Sequence, residues 1–414
     1  QTLGDALGLR GDTVARHLLS NSSDQRGGVW IVDEASMLSA RDMASLLDRS
    51  AKAGARVVLV GDVKQLGSVG AGAAFAQLQA AGMSTAKLED IVRQTNSATR
   101  EAVLASIEGH ARKALSALDK GGGKIVENAD RGERFAAIAK QYAKLDKASR
   151  ACTLVIEPSR EGRDALTADI RSALASTGVL SGPALTLQSL VTKNLTRAEA
   201  RDPMNYAPGD MVRFTRDYAD KGVVHGAAYQ VEAIDPTKAA IGLISENGDK
   251  IDWRLRQWGS GKAEVFETKP MELQTGDSVQ FTRNDREAGR INGLAGMVTG
   301  IDPGRHLATL KLANGREQQL DLANPRDAHL RHAYVQTAHA AQGQTAERVL
   351  IHADSRSTNL VDQKMLYVAL SRARAEAIVV TDDKERLVSV LHERAGEKQT
   401  AMEAMPSEAI KAKS

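Results

Sequence analysis

The sequence predicts an α/β protein built on parallel sheets, with a block of short β-strands inserted before the last α/β stretch. Three observations predict it. Val29-Trp30-Ile31-Val32 and Arg56-Val57-Val58-Leu59 are apolar runs that each lead into carboxylates, and a helical stretch separates them. Strand, helix, strand at this spacing implies parallel strands joined by a right-handed crossover. From about residue 206 to 321 the pattern turns to short alternating strands punctuated by Gly and Asp, and from residue 333 the strand-helix-strand pattern returns.

Length and composition bound the rest. At roughly 100 to 200 residues per domain, 414 residues require two to four domains. With 42% hydrophobic and 26% charged residues the chain is globular rather than disordered. The 55 basic residues are interleaved with 52 acidic ones, leaving a net charge of +3, so any nucleic-acid groove must be local. One cysteine, Cys152, excludes an intramolecular disulfide, and nine scattered His give no zinc spacing. No apolar run approaches the ~20 residues of a membrane span and the start is no signal peptide, so a cytoplasmic location is expected. Opening at Gln1, the chain reads as cut from something longer.

In order, Leu3, Leu7, Val14 and Leu18 fall at helical spacing, with Gly8 and Gly11 dividing them into two short helices. A helix over about residues 40–53 carries Met43, Leu46 and Leu47 on one face and stops at Gly54. Residues 98–147 are Ala-rich and predict helix, interrupted by Gly121-Gly122-Gly123. Cys152 to Ile156 reads as a third buried strand, ended by Pro158 and followed by an amphipathic helix to about Ala175. Pro208-Gly209-Asp210-Met211-Val212-Arg213-Phe214 and Thr275-Gly276-Asp277-Ser278-Val279-Gln280-Phe281 are two similar openings, which predict two small SH3-like β units. A strand over 348–352, a helix near 363–372 and a strand over 377–381 complete the second α/β domain. The tail beyond about residue 397 is polar.

Asp33-Glu34 and Asp62 stand at the carboxyl ends of the first two strands, where ligands bind in open parallel sheets. Alone, Asp33-Glu34 is better explained by a surface turn, where Asp and Glu are common. Gln65, one turn past the second strand, has an amide able to touch a phosphate and an attacking water. Arg93 and Arg372 end short helices and have the planar fork suited to phosphate charge, although a solvent pair or a helix-dipole contact explains each of them singly. Gln336 to Thr345 is ten residues without a charge, rich in small and hydrogen-bonding side chains, where backbone can approach a ligand and Gln342, Thr345 and His339 can reach phosphate.

Their order is more specific. Asp33-Glu34-Ala35-Ser36, Gly61-Asp62-x-x-Gln65-Leu66, Arg93-Gln94, His339-x-x-Gln342-Gly343-x-Thr345 and Tyr367-Val368-Ala369-x-Ser371-Arg372-Ala373 resemble motifs II to VI of superfamily 1 helicases, most closely the RecD-like 5′ to 3′ branch. His339-Ala340-Ala341-Gln342-Gly343, Pro158-Ser159-Arg160-Glu161-Gly162-Arg163 and Val380-Thr381-Asp382-Asp383 are similar to the helicase half of conjugative relaxases of the TraI/TrwC type. The resemblance implies two RecA-like parallel-sheet motor domains, the first incomplete, with the SH3-like β-barrel units inserted. The boundaries expected are a partial first motor domain at 1–112, a helical connector at 113–150, the second motor domain at 151–205 and 331–396, the β insertion at 206–330 and a polar tail at 397–414.

It also implies ATP and Mg²⁺ as cofactors, single-stranded DNA and relaxosome proteins as partners, and a DNA helicase that hydrolyses ATP. In that role Asp33 holds Mg²⁺, Glu34 is the general base, Gln65 senses the γ-phosphate, and Arg93 and Arg372 close on the nucleotide. Asp62, Gln94, Gln342 and Gly343 would touch nucleotide, and Thr2, Thr337, His339 and Thr345 DNA. No G-x-x-x-x-G-K-[ST] occurs in the 414 residues. The resemblance places that loop upstream of Gln1, so this fragment in isolation is expected to bind single-stranded DNA without hydrolysing ATP.

Overall fold

The computed structural model describes residues 4, 7–9, 11–20, 27–67, 72–88, 90–357 and 359–394. They form two compact units, one running up to Ile170 and resuming at Val335, the other spanning Arg171–Tyr334.

In the first unit, α1 (Val14–Leu19) precedes β1 (Val29–Val32), α2 (Ala40–Ala53) and β2 (Arg56–Leu59). Ser39 caps α2 by accepting from Asp42 N, and Gly54 ends it in the left-handed conformation. β1 and β2 pair in parallel, Val29 beside Arg56 through Val32 beside Leu59, as the crossover predicts. Met43 and Leu46 of α2 pack on Val32, Ala35 and Phe75, the last from α3 (Ala74–Ala80).

The rest of the unit surrounds a five-stranded parallel sheet. α4 (Ser97–Ile107) and α5 (Ala111–Ala117) lead into β3 (Gly123–Glu127), then α6 (Arg131–Ala143), α7 (Lys147–Ala151), β4 (Thr153–Ile156) and α8 (Arg160–Ser176). β3 corrects the helical reading of residues 98–147: after three glycines, Lys124-Ile125-Val126 extends and pairs with the last strand of the chain. Gly123 is needed there, because a Cβ would fall 1.7 Å from the Ala377 carbonyl oxygen.

The second unit is antiparallel and comprises β5 (Ser181–Thr192), β6 (Met211–Phe214), β7 (Ala228–Asp235), β8 (Ala240–Ser245), β9 (Lys250–Arg254), β10 (Ala263–Thr275), β11 (Ser278–Phe281), β12 (Ala295–Asp302), β13 (Leu307–Leu312), β14 (Glu317–Asp321) and β15 (Leu330–His332). They form a six-stranded sheet in the order β5-β10-β6-β7-β8-β9 and a five-stranded one in the order β14-β13-β12-β11-β15. β5, which lies before residue 206 and so outside the stretch read as β, pairs with β10 from Thr192 beside Phe266 to Ser181 beside Thr275.

The two similar openings belong to a duplication. Strand starts at 211, 228, 240, 250 and 263 return at 278, 295, 307, 317 and 330, a constant offset of 67. The bridge between Tyr218 and Val223 returns as Asp285 with Arg290, and the bulge at Val231/Ala233 as Val298/Gly300. Each opening turns on a left-handed glycine, Gly209 at φ 92° and Gly276 at φ 99°. The aspartate that follows folds back, Asp210 onto Ala207 N at 2.8 Å and Asp277 onto Gln274 N at 2.7 Å.

Back in the first unit, β16 (Val335–Gln336), α9 (Ala338–Ala341), β17 (Ala346–His352), α10 (Gln363–Ser371), β18 (Ala373–Thr381) and α11 (Lys384–Glu393) complete the sheet in the order β16-β4-β17-β18-β3. Its core joins Leu154, Ile156, Val349, Ile351, Ala377 and Val379 to apolar faces of α4, α5 and α10. Among the described residues no helix is long and apolar enough to cross a membrane.

Candidate functional site

β1 ends at buried Val32, and the chain then turns sharply. Asp33 accepts from Glu34 N at 2.9 Å, and Glu34 lies at φ 49°, ψ 40°, a left-handed conformation that a residue with a Cβ adopts only at a cost. Ala35 N bonds Val60 O at 2.8 Å, tying this turn to the end of β2. Gly61 permits the approach, since a Cβ there would sit 3.0 Å from Ser36 N and 3.2 Å from Ala35 N. Asp62 comes next, Oδ1 accepting from Lys64 N at 2.8 Å and Oδ2 from Gln65 Nε2 at 3.1 Å. The carboxylate thereby fixes which end of the Gln65 amide faces inward.

Far later in sequence, Thr337 caps α9 by accepting from Ala340 N, and the chain leaves the helix at Gln342. Gln342 Nε2 lies 3.2 Å from Gln65 Oε1 and 3.4 Å from Glu34 Oε2, while Gln342 Oε1 is buried and accepts no hydrogen bond. α10 supplies Tyr367, whose hydroxyl donates to Asp62 Oδ2 at 2.7 Å. At the end of the same helix the Ser371 carbonyl accepts from Arg93 Nη1 at 2.9 Å and Gln94 Nε2 at 3.3 Å. Gln94 Nε2 also reaches Ala373 O at 2.7 Å. Arg372, 1% exposed, donates to Val368 O at 3.0 Å and Ser371 Oγ at 2.8 Å.

Charge accumulates in this enclosure. Burial, then the neighbouring Asp33 charge, raises the Glu34 pKa against the opposing pull of Arg372. Burial, then the Arg93 charge, lowers that of Arg372 to about 10, which leaves it cationic at neutral pH. Burial and Asp62 raise the phenol of Tyr367, so it stays a hydrogen-bond donor.

Of the residues singled out in the sequence, Glu34, Asp62, Gln65, Arg93, Gln94, Gln342 and Arg372 converge here. Asp33 is exposed beside Glu34, and Gly343 follows Gln342 at φ 79°. Thr337 and His339 line an adjoining cleft of about 610 Å³ with Ser36, Pro158 and Gln65, the last shared with the site. Thr345 is exposed on the approach to β17, and Thr2 lies outside the described residues. Among the described residues no three His, Cys, Asp or Glu side chains form a metal cage. A single carboxylate such as Asp33 nonetheless fits Mg²⁺, which takes one or two carboxylates and fills its shell with phosphate oxygens and water. Tyr367 was not singled out as a site residue; its place at the head of Tyr-Val-Ala-x-Ser-Arg, one helical turn before Ser371, was the available signal.

An AAA domain matches residues 1–129 and a UvrD-like helicase C-terminal domain residues 332–380. The multifunctional conjugation protein TraI of Escherichia coli K12 is 25% identical over 430 residues, 91% of this chain and 24% of that protein. The conjugal transfer protein TraA of Agrobacterium fabrum is 26% identical over 350 residues, 84% of this chain and 24% of that protein. The chain thus spans about a quarter of the length of the curated relatives it matches. Solved Pif1 helicase structures are also similar. One on forked DNA aligns with 93% of this chain and 72% of its own at 16% identity and TM-score 0.42. A Bacteroides Pif1 with ADP-AlF3 and single-stranded DNA aligns with 98% and 80% at 16% identity and TM-score 0.35. The chain is homologous to the TraI and TraA conjugation proteins and contains an AAA domain and a UvrD-like helicase C-terminal domain.

Proposed function

We propose that this chain is the motor of an ATP-dependent 5′ to 3′ DNA helicase that works in conjugative transfer, moving on single-stranded DNA. One observation carries the reading: Glu34, Gln65 and Asp62 at the strand ends of the first α/β segment are hydrogen-bonded to Gln342 and Tyr367 of the last, with Arg93 and Arg372 beside them. A site assembled from both ends of a motor can couple nucleotide state to relative movement of its halves. Glu34 has the position and the raised pKa of a base that accepts a proton from water. Gln342 Oε1 is a buried acceptor available to the same water. Arg93 and Arg372 supply positive charge where negative charge grows on the transferred phosphoryl group. Asp33 would hold Mg²⁺, which when bound neutralises phosphate charge. Relatives whose names describe conjugation support that setting, and the 3′-ward polarity rests on the motif resemblance.

The test is Glu34→Gln in the full natural polypeptide. DNA-stimulated ATP turnover is expected to fall by at least about 100-fold, the scale of a lost general base, with ATP and DNA binding retained. Unchanged turnover removes Glu34 from this role. A second reading, single-strand binding without hydrolysis, rests on the lack of a G-x-x-x-x-G-K-[ST] within these 414 residues. It predicts DNA affinity with no ATPase in the 414-residue chain, and ATPase there would exclude it.

A further inference from the structure

Asp62 accepts from two side chains through one oxygen atom. Gln65 Nε2 reaches Oδ2 from within the same turn at 3.1 Å, and the Tyr367 hydroxyl reaches it from α10 at 2.7 Å. Oδ1 is held by Lys64 N at 2.8 Å, so the carboxylate cannot rotate without breaking a backbone contact. With Nε2 turned to Asp62, Gln65 must offer Oε1 to Gln342 Nε2 at 3.2 Å, and that nitrogen is in turn 3.4 Å from Glu34 Oε2. The result is an ordered relay, Tyr367 to Asp62 to Gln65 to Gln342 to Glu34, in which every amide has one permitted orientation.

The relay starts on the helix that ends at the arginines' anchor. Tyr367 and Ser371 are four residues apart in α10, on one face of the helix, and the Ser371 carbonyl holds Arg93 and Gln94. Val368, Ala369 and Leu370 between them are fully buried, so α10 moves as a rigid piece. Whatever brings Arg372 to the nucleotide therefore also brings the Tyr367 hydroxyl to Asp62.

On the reading of this site as an ATPase, we propose that Tyr367 is a positioning residue: through Asp62 it sets the Gln65 amide, so that the water-aligning groups are ordered only when α10 is seated. Tyr367 does not touch the reacting atoms. Its loss should therefore lower kcat while leaving substrate binding nearly intact.

Tyr367→Phe removes the hydroxyl and keeps the ring in the core. In the full natural polypeptide, DNA-stimulated kcat is expected to fall about 10- to 100-fold, the scale of a misaligned reacting group, with KM for ATP within about twofold. Introduced into Gln65→Ala, the same change should cost nothing further, because the amide it orients is gone. A purely structural role would instead lower both backgrounds equally. Unchanged kcat for Tyr367→Phe, or the same fold loss in the Gln65→Ala background, overturns the proposal. Glu34→Gln measured in parallel separates the two failures. If it abolishes turnover while Tyr367→Phe is fully active, only the relay fails; if Glu34→Gln stays active, the reading of the site as an ATPase fails with it.

Discussion

Glu34 is held in two uncomfortable ways at once, in a left-handed backbone conformation and half-buried beside another carboxylate. Strain of this kind persists where surrounding contacts over-determine it, here the Ala35 to Val60 hydrogen bond and the close approach of Gly61. The electrostatic part is open to measurement without catalysis. Burial and the Asp33 charge both disfavour the Glu34 anion, so Asp33→Asn should move the Glu34 midpoint down toward the ordinary glutamate value. A carbon-detected NMR titration of the nucleotide-free protein reads this directly. An unmoved midpoint would mean that Asp33 contributes nothing to the field at Glu34. Because a raised carboxyl pKa favours the protonated form in the fold, the Glu34 anion costs stability above its unfolded pKa, and Asp33→Asn should recover part of that cost near neutral pH.

At the scale of elements, the carboxyl ends of β4 and β17 carry a buried charge network unconnected to the relay. Arg134 of α6 donates Nε to His352 Nε2 at 3.0 Å and also reaches Asp354 and the carbonyls of Asn128 and Ala129. His352 Nδ1–H meets Glu157, whose other oxygen takes Ser159 N at 3.0 Å and Oγ at 2.7 Å. Arg134, Glu157 and His352 are all under 5% exposed. Removing one member leaves the others buried without compensation, so Arg134→Met should cost about 3–5 kcal/mol in urea unfolding. A cost below 1 kcal/mol would show that the network relaxes into water. Burial alone would raise the Glu157 pKa, but the His352 and Ser159 hydrogen bonds outweigh it and hold it below 4.5. Its stabilisation is thus present above the unfolded pKa and lost as pH falls through the lower folded value. Little of this network was legible in the sequence, because Arg134, Glu157 and His352 are scattered polar residues whose meeting depends on strand order. β1, α2, β2, β17 and α10 were legible, since each has an uninterrupted apolar period and a stop. β3 was not: a five-residue strand that opens on the last of Gly121-Gly122-Gly123 gives too few periods to outweigh the alanine-rich helices around it. The cluster of Glu34, Gln65, Arg93 and Arg372 was readable only as ordered motifs, and Tyr367 needed the coordinates because a tyrosine on a buried helix face looks like core.

At the scale of the whole molecule, the second unit is a duplicated antiparallel module whose two ends meet at one atom group. Asp277 is fully buried and accepts from Arg171, the first residue of the unit, at 2.9 and 3.1 Å, and from the hydroxyl of Tyr334, its last, at 2.9 Å. Chain that leaves and rejoins another domain at adjacent points can be inserted there with little loop-closure cost. The equivalent Asp210 of the first copy is also buried but takes one side chain, Lys193, besides its own turn. The duplication therefore reused one Gly-Asp turn for two purposes, and only the second copy closes the unit. A fragment covering residues 171–334 should unfold cooperatively, with Trp253 and Trp258 as its only tryptophans and Trp253 wholly buried as the reporter. Asp277→Ala removes the acceptor for both ends and leaves the largely buried Arg171 guanidinium with only its more exposed ion-pair partner Glu272. It should lower the stability of the fragment by about 3–5 kcal/mol, more than Asp210→Ala, whose lysine can swing toward solvent on its flexible stem. Urea titrations of the two variants beside the parent decide it. Equal losses at the two aspartates would mean that each serves only its own turn and that the ends are held together by strand pairing alone.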